Sequence, residues 1–158
     1  MKHTLKTGFS FGTTSGVITT LGLMVGLHAG THSKLAVIGG VLTIAIADAF
    51  SDAMGIHMSE ESENTHTKRE LWESAFFTFL FKFIFACSFL IPLLLFSLQT
   101  AMVVSIGWGL LLVSLLSFYL AKSQKTKPSH VILEHIIGVI IVVAISHVVG
   151  DLIRDIFG

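Results

Sequence analysis

The stretch AIADAFSDAMGIHMSEESE, Ala45–Glu63, decides how this chain is read. It begins as lipid-soluble sequence and ends with Glu60, Glu61 and Glu63. Between these ends stand Asp48 and Asp52, four residues apart in apolar surroundings. Working outward, the same apolar character runs through most of the 158 residues. The chain is 53% hydrophobic and only 13% charged, about half the charged share of an ordinary soluble domain. That places it in the membrane class. The formal net charge is zero, which offers no basic field for nucleic acid. Cys87 is the single cysteine, so no intramolecular disulfide or cysteine-based metal cluster can form.

A membrane span needs about 20 mostly apolar residues. Five segments qualify: residues 9–28, 35–58, 75–98, 101–121 and 131–153. The expectation is an all-α integral membrane protein forming a single transmembrane domain over residues 1–158. The first segment, though preceded by Lys2 and Lys6, shows no small-residue cleavage site and is expected to stay as a span. The two sizeable connections are the acidic 59–74 and the basic 122–130. Pro128 suits a helix start, whereas Pro92 inside the third span predicts a kink. Lysine and arginine set orientation. With the N-terminus inside, Lys2, Lys6, Lys68, Arg69, Lys122, Lys125 and Lys127 face the cytoplasm, and only Lys34 and Arg154 face out. A cytoplasmic N-terminus, an external C-terminus and a cytoplasmic 59–74 connection follow.

Gly12, Gly16, Gly22, Gly26 and Gly30 make the first span a candidate for close helix packing, within one bundle or across a dimer seam. Five helices enclose little space for a pathway, which makes a homodimer a natural expectation.

Helical rise gives depth, about 1.5 Å per residue. Counted from Met58, Asp52 lies about 9 Å and Asp48 about 15 Å from the cytoplasmic end of the second span, both on one face. Counted from Phe9, Ser15 shares the layer of Asp52 and Thr19 that of Asp48; Lys82 of the third span also reaches the Asp52 layer. A carboxylate facing hydrocarbon costs about 2.5–3.5 kcal/mol or more, so both acids should point inward. Three readings compete: a structural Asp52–Lys82 ion pair, a proton relay, or a cation path in which carboxylates and hydroxyls replace the water around a hard divalent ion.

At the cytoplasmic mouth, His57, Glu60, Glu63, Glu70 and Glu73 are further metal candidates. Glu60–Glu63 and Glu70–Glu73 are E-x-x-E pairs of the kind that can gather a divalent ion from two helices. The plain alternative is a solvated acidic helix end, partly neutralised by Lys68 and Arg69. Near the outer end of the fifth span, His147 and Asp151 form an i,i+4 pair that suits a proton or exit path, or else an interfacial hydrogen bond. His28 and His32 are expected to be solvated. There is no P-loop, dinucleotide fingerprint or nucleophile elbow. No enzyme activity and no tightly bound cofactor is expected, and any transport would be driven by a gradient.

SGVITTLGLMVGL (Ser15–Leu27) and ADAFSDAMGIHMSEESE (Ala47–Glu63) resemble the first-span DGIVTT and second-span ADA signatures of the vacuolar iron transporter family. The five-span count, the proline in the third span and the closing SHVVGDLI (Ser146–Ile153) are similar too. The resemblance implies a homodimeric transporter of Fe²⁺, often also Mn²⁺, moving metal out of the cytoplasm in exchange for protons, in a cytoplasmic or vacuolar membrane. It also implies a path through a first-span aspartate and a second-span methionine. Ser15 and Asp52 stand at those positions here, and Ile56 stands where the family has a glutamate. Asp48 matches. The cytoplasmic metal-binding domain of long members has no counterpart beyond 59–74. Moving the acid from span one to span two keeps the layer's acid count and makes the site all oxygen, leaning toward Fe²⁺ or Mn²⁺ over softer ions. The alternative is a non-transporting membrane protein, a metal sensor or assembly partner, in which Lys82 fills the site.

Overall fold

The computed structural model describes residues 3–158; Lys2 lies outside them. The described chain is all-α. Helix α1 spans His3–Thr31, α2 Lys34–Ser62, α3 Lys68–Ser88, α4 Leu90–Leu95, α5 Leu98–Gln124 and α6 Pro128–Phe157. With α3 and α4 taken together, five helices are long and apolar enough to cross a membrane. That agrees with the five spans read from hydropathy; the helices run past the expected span ends, except that the third stops at Leu95 and Leu98 already opens α5.

Local chemistry sets each boundary. His32 and Asn64 adopt left-handed φ of 49° and 52° and end α1 and α2. Asparagine tolerates that conformation better than most residues. Ser33 caps α2 by accepting from the Ala36 N–H at 3.2 Å. Thr67 and Glu70 form a reciprocal capping box at the start of α3. Pro128 opens α6, where a missing N–H costs nothing. The expected kink in the third span is a break at Phe89, between α3 and α4. Pro92 supplies no N–H for the Ser88 carbonyl, and its ring crowds that turn.

Helix α1 is the centre of the bundle and packs against α2, α3, α5 and α6. Its glycines explain how. A Cβ on Gly12 would meet the Thr78 carbonyl oxygen at 2.6 Å, and one on Gly16 would meet that of Lys82 at 3.0 Å. Farther along, Gly26 and Gly30 face Ser146 and Gly150 of α6. The small-residue series is therefore used inside one chain, first against α3 and then against α6. The apolar core lies beside it, around Val17, Leu21, Met24, Val41, Phe89 and Val113. The opposite flank of α6 leaves Ile141, Ile145, Val148 and Leu152 exposed, the surface a helix presents to lipid.

The helix ends are tied pairwise. At one end Lys6 Nζ donates to Ser123 Oγ (3.1 Å) and His3 faces Glu60 (4.0 Å). At the other, Lys34 Nζ donates to the Phe96 carbonyl (2.9 Å) and Arg154 Nη1 to that of Ala29 (3.0 Å).

Candidate functional site

The site forms where α1, α2 and α3 meet. Close approach of α1 to α3 at Gly16 sets the Lys82 side chain against α1. The Lys82 side chain is buried, 1% exposed, and its ammonium meets three oxygens. It donates to Asp52 Oδ2 and to Ser15 Oγ at 2.9 Å. It lies 2.5 Å from Asp48 Oδ2, a charge contact without hydrogen-bond alignment, so that oxygen has no hydrogen-bond partner. Ser15 Oγ in turn donates to Asp52 Oδ2 at 2.6 Å.

Three of the residues assigned to one depth layer, Ser15, Asp52 and Lys82, are thus in direct contact. The ion pair expected between Lys82 and Asp52 includes Asp48 as well, because the four-residue spacing stacks both carboxylates on the face that meets α3. Thr19 is not drawn into the cluster: its hydroxyl donates to the Ser15 carbonyl of its own helix at 2.8 Å. A threonine on a helix satisfies itself this way when no better acceptor is near.

The lysine and the acids differ in access. The Asp48 and Asp52 side chains are 27% and 20% exposed. Asp48 opens on a groove of about 640 Å³ beside α1 and α2, shared with Leu23, Gly40 and Thr43. Lys82 approaches from the closed side. Two carboxylates against one ammonium leave the cluster with an acid in excess.

The candidates around the acidic 59–74 connection do not converge. Arg69 Nε donates to Glu73 Oε1 at 2.9 Å. Glu70 accepts from the Thr67 N–H and hydroxyl, each at 2.8 Å. Glu63 lies 3.9 Å from His66 Nε2. His57 stacks near Trp72 with ring centroids 4.4 Å apart, and its Nδ1 is buried without a hydrogen bond. Of the two E-x-x-E pairs, Glu63, Glu70 and Glu73 are taken up by local partners. Among the described residues, no three His, Cys, Asp or Glu side chains gather into a metal-holding group.

Glu60 departs most from a solvated helix end. It is 6% exposed, and neither carboxylate oxygen has a hydrogen bond. His3 Nδ1 stands 4.0 Å away, with its ring stacked on His66. The burial follows from α1 beginning as early as His3, so that its first turn covers the end of α2. His3 carried no signal in the sequence, being isolated from every other candidate.

At the other end, His147 Nε2 lies 3.3 Å from Asp151 Oδ2, the i,i+4 contact expected there. His32 is exposed, as expected of a solvated residue, and also accepts from Arg154 Nη1 at 3.1 Å. The left-handed turn at His32 brings its ring back to α6, which helical spacing cannot foresee. His28 stays beside it, ring centroids 5.5 Å apart.

Compared with known proteins, the chain matches no family model, no curated protein and no solved structure.

Proposed function

We propose that this protein carries divalent metal, Fe²⁺ or Mn²⁺, across a membrane and out of the cytoplasm in exchange for protons, with Asp48 and Asp52 as the exchanging acids. The observation that carries the reading is the acid in excess. One ammonium satisfies one carboxylate. A second carboxylate in a poorly solvated site must hold a proton or attract a further cation. A purely structural ion pair needs only Asp52, so Asp48 adds cost without adding closure. Ser15, Asp48 and Asp52 also place three oxygens around a single cationic atom, which is the donor type hard divalent ions take.

In this reading Lys82 is the resident cation. It holds the carboxylates between loads, and its flexible stem lets it withdraw when a metal ion enters from the groove. The arriving ion displaces the proton held by the excess acid. The likeness of the first two spans to the vacuolar iron transporter family supports the same substrate class. The N-terminal end, with its lysines and Glu60, is then cytoplasmic, and the C-terminal end faces the receiving compartment.

The same geometry supports a homodimer. An exposed carboxylate at mid-membrane would meet hydrocarbon, at about 2.5–3.5 kcal/mol or more. A second copy placed against α2, whose Leu42, Ile46 and Phe50 are exposed, would cover the groove at Asp48.

One observation favours a second reading, in which the protein is a non-transporting sensor or assembly partner: Lys82 already contacts both acids. Flux separates the two. Proteoliposomes with an imposed pH gradient should accumulate Mn²⁺ or Fe²⁺ with wild-type protein and not with Asp48→Asn. Wild-type flux no greater than that of empty vesicles would reject transport.

A further inference from the structure

The end of the bundle where α1 stops and α6 finishes holds an arrangement that the transport reading does not use. Arg154 reaches from α6 across to α1. Its Nη1 donates to the Ala29 carbonyl at 3.0 Å and to His32 Nε2 at 3.1 Å. Its Nη2 faces two carboxylates of α6, Asp151 at 3.0 Å and Asp155 at 3.5 Å. One side of the guanidinium thus serves its own helix, and the other ties α1 to α6.

We propose that Arg154 and His32 form an acid-sensitive latch between the ends of α1 and α6. The argument is one of donors and acceptors. A guanidinium has only N–H donors and no acceptor. The ring nitrogen facing it must therefore carry a lone pair, so His32 is neutral in this structure, with its proton on Nδ1. A second proton would turn Nε2 from acceptor to donor. The hydrogen bond would be lost, and two cations would stand about 3 Å apart.

The surrounding charges sharpen the response. On α1, the His28 ring abuts His32. On α6, His147 contacts Asp151, and Asp151 and Asp155 flank Arg154. Lys34 at the start of α2 points elsewhere, to the Phe96 carbonyl. With neutral histidines, one cation faces two carboxylates; with all three histidines protonated, four cations face the same two. Protonated His147 would also draw Asp151 toward itself, and so away from Arg154. Acidification that protonates His32 therefore releases the latch. It stands next in sequence to Thr31 and Ile153, which line an apolar groove of about 580 Å³ between α1 and α6.

The latch rests on these contacts alone. Only its place in a transport cycle, opening toward an acidic receiving compartment, rests on the reading above. Spin labels at Leu35→Cys and Phe157→Cys, both exposed positions, in a Cys87→Ser background, report the separation of the α1–α2 corner from the end of α6 in lipid nanodiscs without metal or gradient. The expected result is one narrow distance at about pH 8 and a second, longer population at about pH 5. His32→Gln keeps an acceptor that does not titrate and should hold the short distance at both pH values. Arg154→Met removes every side-chain donor and should show the longer population at both. Wild-type distances unchanged between the two pH values would overturn the latch, as would acid opening of His32→Gln equal to wild type. Neither outcome depends on whether the protein moves metal.

Discussion

Lys82 in the middle of the bundle and Arg154 at its end are both cations that join two helices to carboxylates, yet they are built for different responses. Lys82 is enclosed and meets two carboxyl groups and a hydroxyl, one carboxyl more than a single ammonium pairs with. Arg154 is half exposed and divides its donors between carboxylates of its own helix and neutral acceptors on α1. On the reading proposed above, the first arrangement would answer to cations that compete for oxygen. The second is sensitive to protons that remove an acceptor. Burial makes the first expensive to disturb, and exposure makes the second inexpensive to open.

The largest effect that can break this contrast is expected at Lys82. Lys82→Met leaves two carboxylates without their cation and should cost about 3–5 kcal/mol, as for one partner of a buried pair. The loss would be read as a lower Tm in detergent. Adding Asp52→Asn to that variant should recover part of it. If Lys82→Met melted like wild type, the buried cluster would not contribute to the fold. Gly150→Ala comes next. Its Cβ would meet Ala29 Cβ at 2.8 Å and the Gly30 backbone nitrogen at 3.0 Å, where little can yield, and overpacking of this kind costs about 1–3 kcal/mol.

Ser15→Ala sharpens the account of the centre. It removes one donor to Asp52 and one acceptor from Lys82, and should cost about 1–3 kcal/mol. Glu60→Gln has the smallest expected effect and the opposite sign. Replacing a buried carboxyl that lacks hydrogen bonds with a neutral amide removes a desolvation cost, so Tm should stay level or rise. A clear fall in Tm would show that the Glu60 charge is held by His3 more firmly than 4.0 Å suggests.

The sequence made the architecture legible because the five spans are long and apolar, and hydropathy needs no tertiary information. The central site was legible for a related reason. Fixed rise per residue put Ser15, Asp52 and Lys82 at one depth, and four-residue spacing put Asp48 on the same face. What helical arithmetic lacks is anything at the helix ends. The position of His32 depends on a left-handed residue after α1, and the burial of Glu60 depends on how early α1 begins. Glu70 and Glu73 were candidates by spacing but are held by Thr67 and Arg69, since local hydrogen bonds form before long-range gatherings of ligands.

The central claim is that Asp48 is an acid in excess, holding a proton that metal displaces. Proton release from purified protein on addition of Mn²⁺, in weakly buffered detergent solution, tests it most directly. The account expects release with wild type and none with Asp48→Asn of unchanged Tm. Mn²⁺ that binds without releasing protons, or equal release from Asp48→Asn, would contradict it.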